Sequence, residues 1–159
     1  MRIVIANDHS SVELKDAVVA HLAELGHEVD NLGTNSTQST DYPLWGAAAA
    51  RAVVAGQADL GIVICGTGQG IGISANKVHG VRCVICSEEY SARMGRAHNN
   101  ANMLALGARV VGVDLALGIV DAFLTTPFEG GRHARRVGEI NALDAGEDLP
   151  SPVGPADPS

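Results

Sequence analysis

Residues 60–77 read LGIVICGTGQGIGISANK. The first six are apolar or small and of β-forming type, and a turn with glycines at 66, 68, 70 and 72 leads from them into a segment of helical spacing. A strand that passes through glycines directly into a helix is the repeating unit of a parallel sheet. Four more short apolar runs, at 2–6, 28–32, 82–86 and 103–106, lie on either side of it. Between the first two, Val12, Leu14, Val18, Val19, Leu22 and Leu25 recur at helical intervals and Gly26 supplies the stop. Helices are also expected at about 44–55, 70–77, 88–98, 113–124 and 131–145. Strand and helix alternate throughout, which predicts an α/β protein: a Rossmann-like three-layer sandwich with a five-stranded parallel sheet.

Residues 1–145 make one domain on this reading. Beyond them the chain runs into EDLPSPVGPADPS, with four prolines in its last ten residues and no apolar period, so 146–159 is expected to be a flexible tail. No apolar run approaches the roughly 20 residues needed to cross a bilayer, and MRIVIANDHS reads as a first strand rather than a leader, so a cytoplasmic protein with no membrane partner is expected. The net charge of -7 and an aromatic content of 3% exclude an ordinary nucleic-acid binder, which needs clustered cations and stacking platforms. Four of the eleven Lys and Arg residues, Arg109, Arg132, Arg135 and Arg136, nonetheless fall between 109 and 136, a distribution suited to a small anion. The three cysteines, Cys65, Cys83 and Cys86, give neither a disulfide framework nor a zinc motif.

In an open α/β sheet, ligands bind beyond the carboxyl ends of the strands. Cys65 closes its strand at the mouth of the glycine turn, where backbone N–H groups and a helix start favour negative charge, so a proton-transfer or nucleophilic role fits it better than Cys83 or Cys86. The backbone of Gly66, Gly68 and Gly70 is suited to cradling an anion. Thr67 is placed to bond the thiol or a substrate, or simply to hold the loop. Asp8 and His9 follow the first strand at the same edge; they suit proton shuttling and hydroxyl binding, or a helix N-cap and its neighbour. His98 and Asn99 open a polar run through Asn100 to Asn102 that exceeds what a connection requires, unless it is an Asn-rich turn. Arg132 and Arg136 lie one helical turn apart and can clamp a phosphate.

Together these segments resemble the B-type ribose-5-phosphate isomerases, a family that includes allose-6-phosphate, galactose-6-phosphate and erythrulose-phosphate isomerases. The likeness spans about residues 1–145. It rests on Asp8-His9, Asp41-Tyr42-Pro43, the run from Ile64 to Gly70 with Asn76-Lys77, Cys86-Ser87-Glu88, His98-Asn99 with Asn102, Gly107 with Arg109, and Gly130-Gly131-Arg132-His133 with Arg136. The resemblance implies aldose–ketose isomerisation of ribose 5-phosphate and ribulose 5-phosphate through a cis-enediolate, with no metal and no cofactor. It makes Cys65 the base, since the position where another subgroup carries glutamate is Ile71 here. It gives ring opening to His98 with Asp8, assistance at the reacting oxygens to Thr67 and Asn99, and enediolate binding to the backbone of 66–70. Phosphate and sugar binding fall to His9, Tyr42, Arg109, Arg132 and Arg136. It also implies a homodimer or a dimer of dimers with sites between subunits.

Ser10-Ser11-Val12 and Gly72-Ile73-Ser74-Ala75 depart from the family's usual residues near the expected substrate, which keeps erythrulose 4-phosphate, allose 6-phosphate and galactose 6-phosphate open as alternatives. From other classes, a flavodoxin-like nucleotide or flavin-binding module lacks a glycine fingerprint after the first strand, and a thiol redox protein lacks a helix-opening C-x-x-C.

Overall fold

The computed structural model describes residues 1–151. Along the chain these form β1 (Arg2–Asn7), α1 (Val12–Glu24), β2 (Glu28–Asn31), α2 (Tyr42–Val54), β3 (Leu60–Cys65), α3 (Gln69–Ala75), β4 (Cys83–Ile85), α4 (Glu89–Asn99), β5 (Met103–Gly107), α5 (Val113–Thr125) and α6 (Arg132–Asp144). The strands are all parallel, in the order β2-β1-β3-β5-β4. Helices cover both faces, as the alternation of elements predicts. Residues 147–151 form neither helix nor strand, and the rest of the expected proline-rich tail lies outside the described residues. Among the described residues, no helix is long and apolar enough to cross a membrane.

Side chains alternate across each strand, so one sequence run supplies two cores. Ile3, Ile5, Ile62, Ile64, Leu104 and Leu106 point to α1, α4 and α5, where Val18, Leu22, Ile119 and Phe123 meet them. Val4, Ala6, Val63, Cys65, Met103 and Ala105 point to α2 and α3, against Ala49, Ala50, Val53, Ile71 and Ala75. Each fully buried Ile or Leu contributes roughly 1.5–3 kcal/mol. The α2–α3 side is filled mainly by small residues, and its approach is close: a Cβ on Gly46 would stand 2.6 Å from the Ile71 carbonyl oxygen. That packing presses the base of the glycine turn against α2.

The strand boundaries differ most at β4, which is three residues long where the apolar run 82–86 predicts five. β4 is an edge strand, and its outer side is occupied by an amide. Asn76, just past α3, donates from Nδ2 to the Cys83 carbonyl at 2.8 Å and accepts the Cys83 N–H on Oδ1 at 2.7 Å. The same use of Asn76 ends α3 at Ala75 rather than at 77. Arg82, expected inside the strand, instead splays its guanidinium onto the Asn100 carbonyl and Asn141 Oδ1, while Asp144 accepts the Gly80 N–H at 2.6 Å. These contacts anchor α6 over the entry to β4.

Replacing Asn76 with alanine removes both bonds from a partly buried edge. We expect a loss of about 1–3 kcal/mol in urea unfolding, together with faster aggregation of the unfolding intermediate measured by light scattering.

Candidate active site

β1 and β3 are neighbours, yet the chain leaves β1 for α1 on one face and leaves β3 for α3 on the other. Their carboxyl ends therefore flank a crevice, the position at which open α/β sheets take ligands. Cys65 stands there, 4% exposed, and its Sγ accepts the Gly68 N–H at 3.2 Å. Gly68 has φ 77°, and a Cβ on it would lie 2.9 Å from the Leu106 carbonyl carbon, so only glycine turns the amide back toward sulfur without displacing β5. The turn is also pinned from outside: Ala108 N–H donates to the Cys65 carbonyl and Arg109 N–H to the Gly66 carbonyl, both at 2.9 Å. The Arg109 side chain crosses above Gly66, whose notional Cβ would be 3.6 Å from both Cδ and Nη1.

Asp8 is buried beside this turn, its N–H donating to the Ile64 carbonyl at 3.2 Å. Its Oδ1 accepts three donors: Ser10 N–H at 2.9 Å, Ser10 Oγ at 2.6 Å and Ser11 Oγ at 3.3 Å. One carboxylate oxygen is thus fixed by its own loop, which orients Oδ2. The N-cap of α1 is Ser11, so Asp8 is not the cap. His9 Nδ1 accepts the Thr40 N–H at 3.2 Å, which leaves Nε2 to carry the ring proton of the neutral imidazole. Tyr42 opens α2 with its ring over Gly70, where a Cβ would fall 2.5 Å from the ring. Thr67 Oγ1 accepts the Gln69 N–H at 3.4 Å, the loop-holding role. Asp8, His9, Tyr42, Cys65, Gly66, Thr67, Gly68, Gly70 and Arg109 therefore gather at one edge. A cavity of about 400 Å³ lined by His9, Ser10, Thr37 and Val111 adjoins them.

The other expected residues are elsewhere. Each helix that links two strands returns antiparallel to them, so the end of α4, with His98 and Asn99, lies at the amino edge of the sheet where β5 begins. At about 3.3 Å per residue, the length of β5 separates that edge from Cys65 by roughly 17 Å. Arg132 and Arg136 join His98 there, both exposed on the first turns of α6. Much of the polar run after His98 is architectural: Asn100 caps α4 with φ 45°, and Asn102 bridges the Arg82 N–H and the Gly80 carbonyl. The expected residues thus fall into two groups, one at each edge.

Sequence reading missed the neighbours of His98. His133 stacks on it, ring centroids 4.1 Å apart and planes 3° from parallel, and one oxygen of Glu129 lies 3.7 Å from His98 Nε2 and 3.5 Å from His133 Nε2. These three groups have the composition of a metal site. Parallel rings, however, hold their nitrogen lone pairs in separate planes, so one ion at about 2.0–2.1 Å cannot lie in both. Arg135, not Arg132 or Arg136, pairs with Glu139, at 3.3 Å. Ser10 was also missed as the partner of Asp8; a serine two residues after an aspartate is the available signal. Of the residues that depart from the family pattern, Gly72 packs in the core against Ile85 and Ala105, Ser74 bonds the Gly70 carbonyl and Ser11 the Ile64 carbonyl. Ser10 and Ser11 line the adjoining cavity, whereas Gly72 lies in the core, although all four are expected near substrate.

Burial holds the remaining thiols protonated at neutral pH, Cys83 pushed up to about 12 and Cys86 to about 11. They take no part in this chemistry.

An open parallel sheet with a thiol, a carboxylate and an imidazole gathered at its switch point, and a pinned glycine loop around the sulfur, has the form of an α/β enzyme. A family model described as Ribose/Galactose Isomerase matches residues 3–140, and the chain belongs to that family. It is 52% identical over 143 residues to ribose-5-phosphate isomerase B of Escherichia coli, covering 90% of this chain and 96% of that one. A Clostridium thermocellum ribose-5-phosphate isomerase B structure superposes with a TM-score of 0.91 at 52% identity, covering 92% and 99% of the two chains. A Mycoplasma genitalium ribose-5-phosphate isomerase B with bound ribulose-5-phosphate gives 0.86 at 40% identity, covering 91% and 96%. The chain is an isomerase.

Burial, with His98 and Arg132 next in effect, holds the His133 imidazole below its ordinary value near 6.5. The unfolded chain then binds the proton more readily, so stability is fully present above about pH 6.5 and is lost as pH falls below it. We expect the melting temperature to drop between pH 7 and 5, and His133→Phe to flatten that drop in differential scanning calorimetry.

Proposed function

We propose that this chain interconverts ribose 5-phosphate and ribulose 5-phosphate, with Cys65 as the base, in a site completed by a second copy. The observation that carries the reading is the division into half-sites. Asp8, Cys65 and the glycine loop stand at one edge, while His98, Asn99, Arg132 and Arg136 stand a sheet's width away and serve a neighbouring copy's loop. A homodimer or dimer of dimers follows.

Ring opening comes first. The Asp8 carboxylate accepts the anomeric hydroxyl proton on Oδ2 while His98 of the second copy gives a proton to the ring oxygen, and the C1–ring oxygen bond breaks to leave an aldehyde. The Cys65 thiolate then removes the proton from C2. The electron pair moves into a C1–C2 double bond and onto O1, forming the cis-enediolate, whose negative oxygen the loop amides of 66–70 stabilise. The proton returns to C1 and O2 becomes the carbonyl, with Thr67 and Asn99 assisting exchange between the two oxygens. His9, Tyr42 and Arg109 from one copy, and Arg132 and Arg136 from the other, hold phosphate and hydroxyls. No metal and no cofactor enters the scheme. Ser10, a departing residue that bonds Asp8 and lines the cavity, is the position to examine if a tetrose or hexose phosphate proves the better substrate.

Cys65→Ala and His98→Ala should each lower kcat by about 10²–10⁴. Refolded together in equal amounts they should recover about a quarter of wild-type sites, because half the dimers are mixed and each mixed dimer holds one intact site. A mixture as inactive as its parents would place the whole site within one chain. Assaying tetrose, pentose and hexose phosphates with EDTA present tests substrate length and metal need together.

A further inference from the structure

Resting on the ring-opening role proposed for His98, we infer that His133 and Glu129 are positioning residues for that histidine: His133 fixes its ring plane, and Glu129 sets a carboxylate against both rings that favours their charged form. The two imidazoles stack at 4.1 Å with 3° between their planes, so His98 cannot rotate about its ring axis without striking His133. His133 itself is clamped. It lies on α6 with a side chain 9% exposed, whereas that of His98 is 37% exposed.

The inner ring is poorly placed to carry charge. Its Nε2 is buried and has no hydrogen-bond partner among the described residues, and Glu129 reaches it at 3.5 Å as an ion-pair contact only. The same carboxylate oxygen stands 3.7 Å from Nε2 of His98, in the more solvated position. Two stacked rings at this distance do not both protonate readily, and burial penalises the charged form inside more than outside. Glu129 is also held, its N–H donating to the Ala97 carbonyl at 3.0 Å, which ties the α5–α6 connection to the end of α4. The charged groups facing the pair are Glu129 from that connection and Arg132 and Arg136 from α6; at His133 the two cations oppose protonation and the carboxylate favours it.

The experiment pairs NMR titration of the histidine ring protons with kcat against pH in wild type, E129Q, H133F, H133A and H98N. In E129Q the His98 midpoint and the alkaline limb of kcat should move together to lower pH, by about half a unit or more, since exposure screens part of the carboxylate's effect. KM should stay within about twofold, as the phosphate ligands are untouched. H133F keeps the stack and should retain kcat within about threefold, whereas H133A should lose on the order of tenfold. E129Q with an unmoved midpoint and limb overturns the inference, as does H133A equal to H133F. A fully active H98N would instead overturn the ring-opening reading, and the role of the clamp with it; an inactive H98N beside an unmoved E129Q removes the clamp alone.

Discussion

The pairing of β1 with β3, from Ile3 opposite Leu60 to Asn7 opposite Ile64, is the constraint on which the rest of the molecule depends. It joins residues 57 positions apart in the chain, and the outgoing connections of the two strands take opposite faces. Asp8 follows directly because its N–H completes the ladder on the Ile64 carbonyl. Sulfur and carboxylate therefore reach the crevice as continuations of one hydrogen-bonded register, and neither depends on a mobile loop for its place. Parallel pairing has a second effect. Each helix between two strands must run back, so groups at its end appear at the far edge, and His98 is parted from Cys65 for the same reason that the sheet forms.

The glycines of the turn act through shape more than through flexibility. Gly68 brings its amide to sulfur by sitting flat on the end of β5, and Gly107 answers it: a Cβ there would lie 2.6 Å from the Thr67 carbonyl carbon. Gly70 makes room for the Tyr42 ring. Three contacts that no larger residue could make thus lock loop, strand and the start of α2 together, which keeps the sulfur and the amides that face it at fixed separation.

Fold was legible because period-two and helical patterns are local properties of the chain. Cys65 was legible as well, since strand end and glycine turn are adjacent in sequence. The bond from Ser10 to Asp8 is local too, but a serine there is common in turns and carried no distinct signal. The His98–His133 stack was invisible for a different reason: its members come from α4 and α6, and their meeting depends on how α6 docks over β4 through Arg82, Asn141 and Asp144, a tertiary outcome that no spacing encodes. The shortening of β4 has the same origin, because an amide from outside the strand replaced the ladder that the apolar run predicts.

That amide has a consequence for how copies of the chain can meet. Asn76 closes the β4 edge with both of its hydrogen-bonding groups, and at the opposite edge β2 carries Glu28 and Asp30, whose charges would face their own kind in any strand-to-strand contact. The sheet cannot be continued from one molecule into the next. An interface built from helix faces and loops would leave the strand register, and with it the seat of Cys65, as it is in the lone chain.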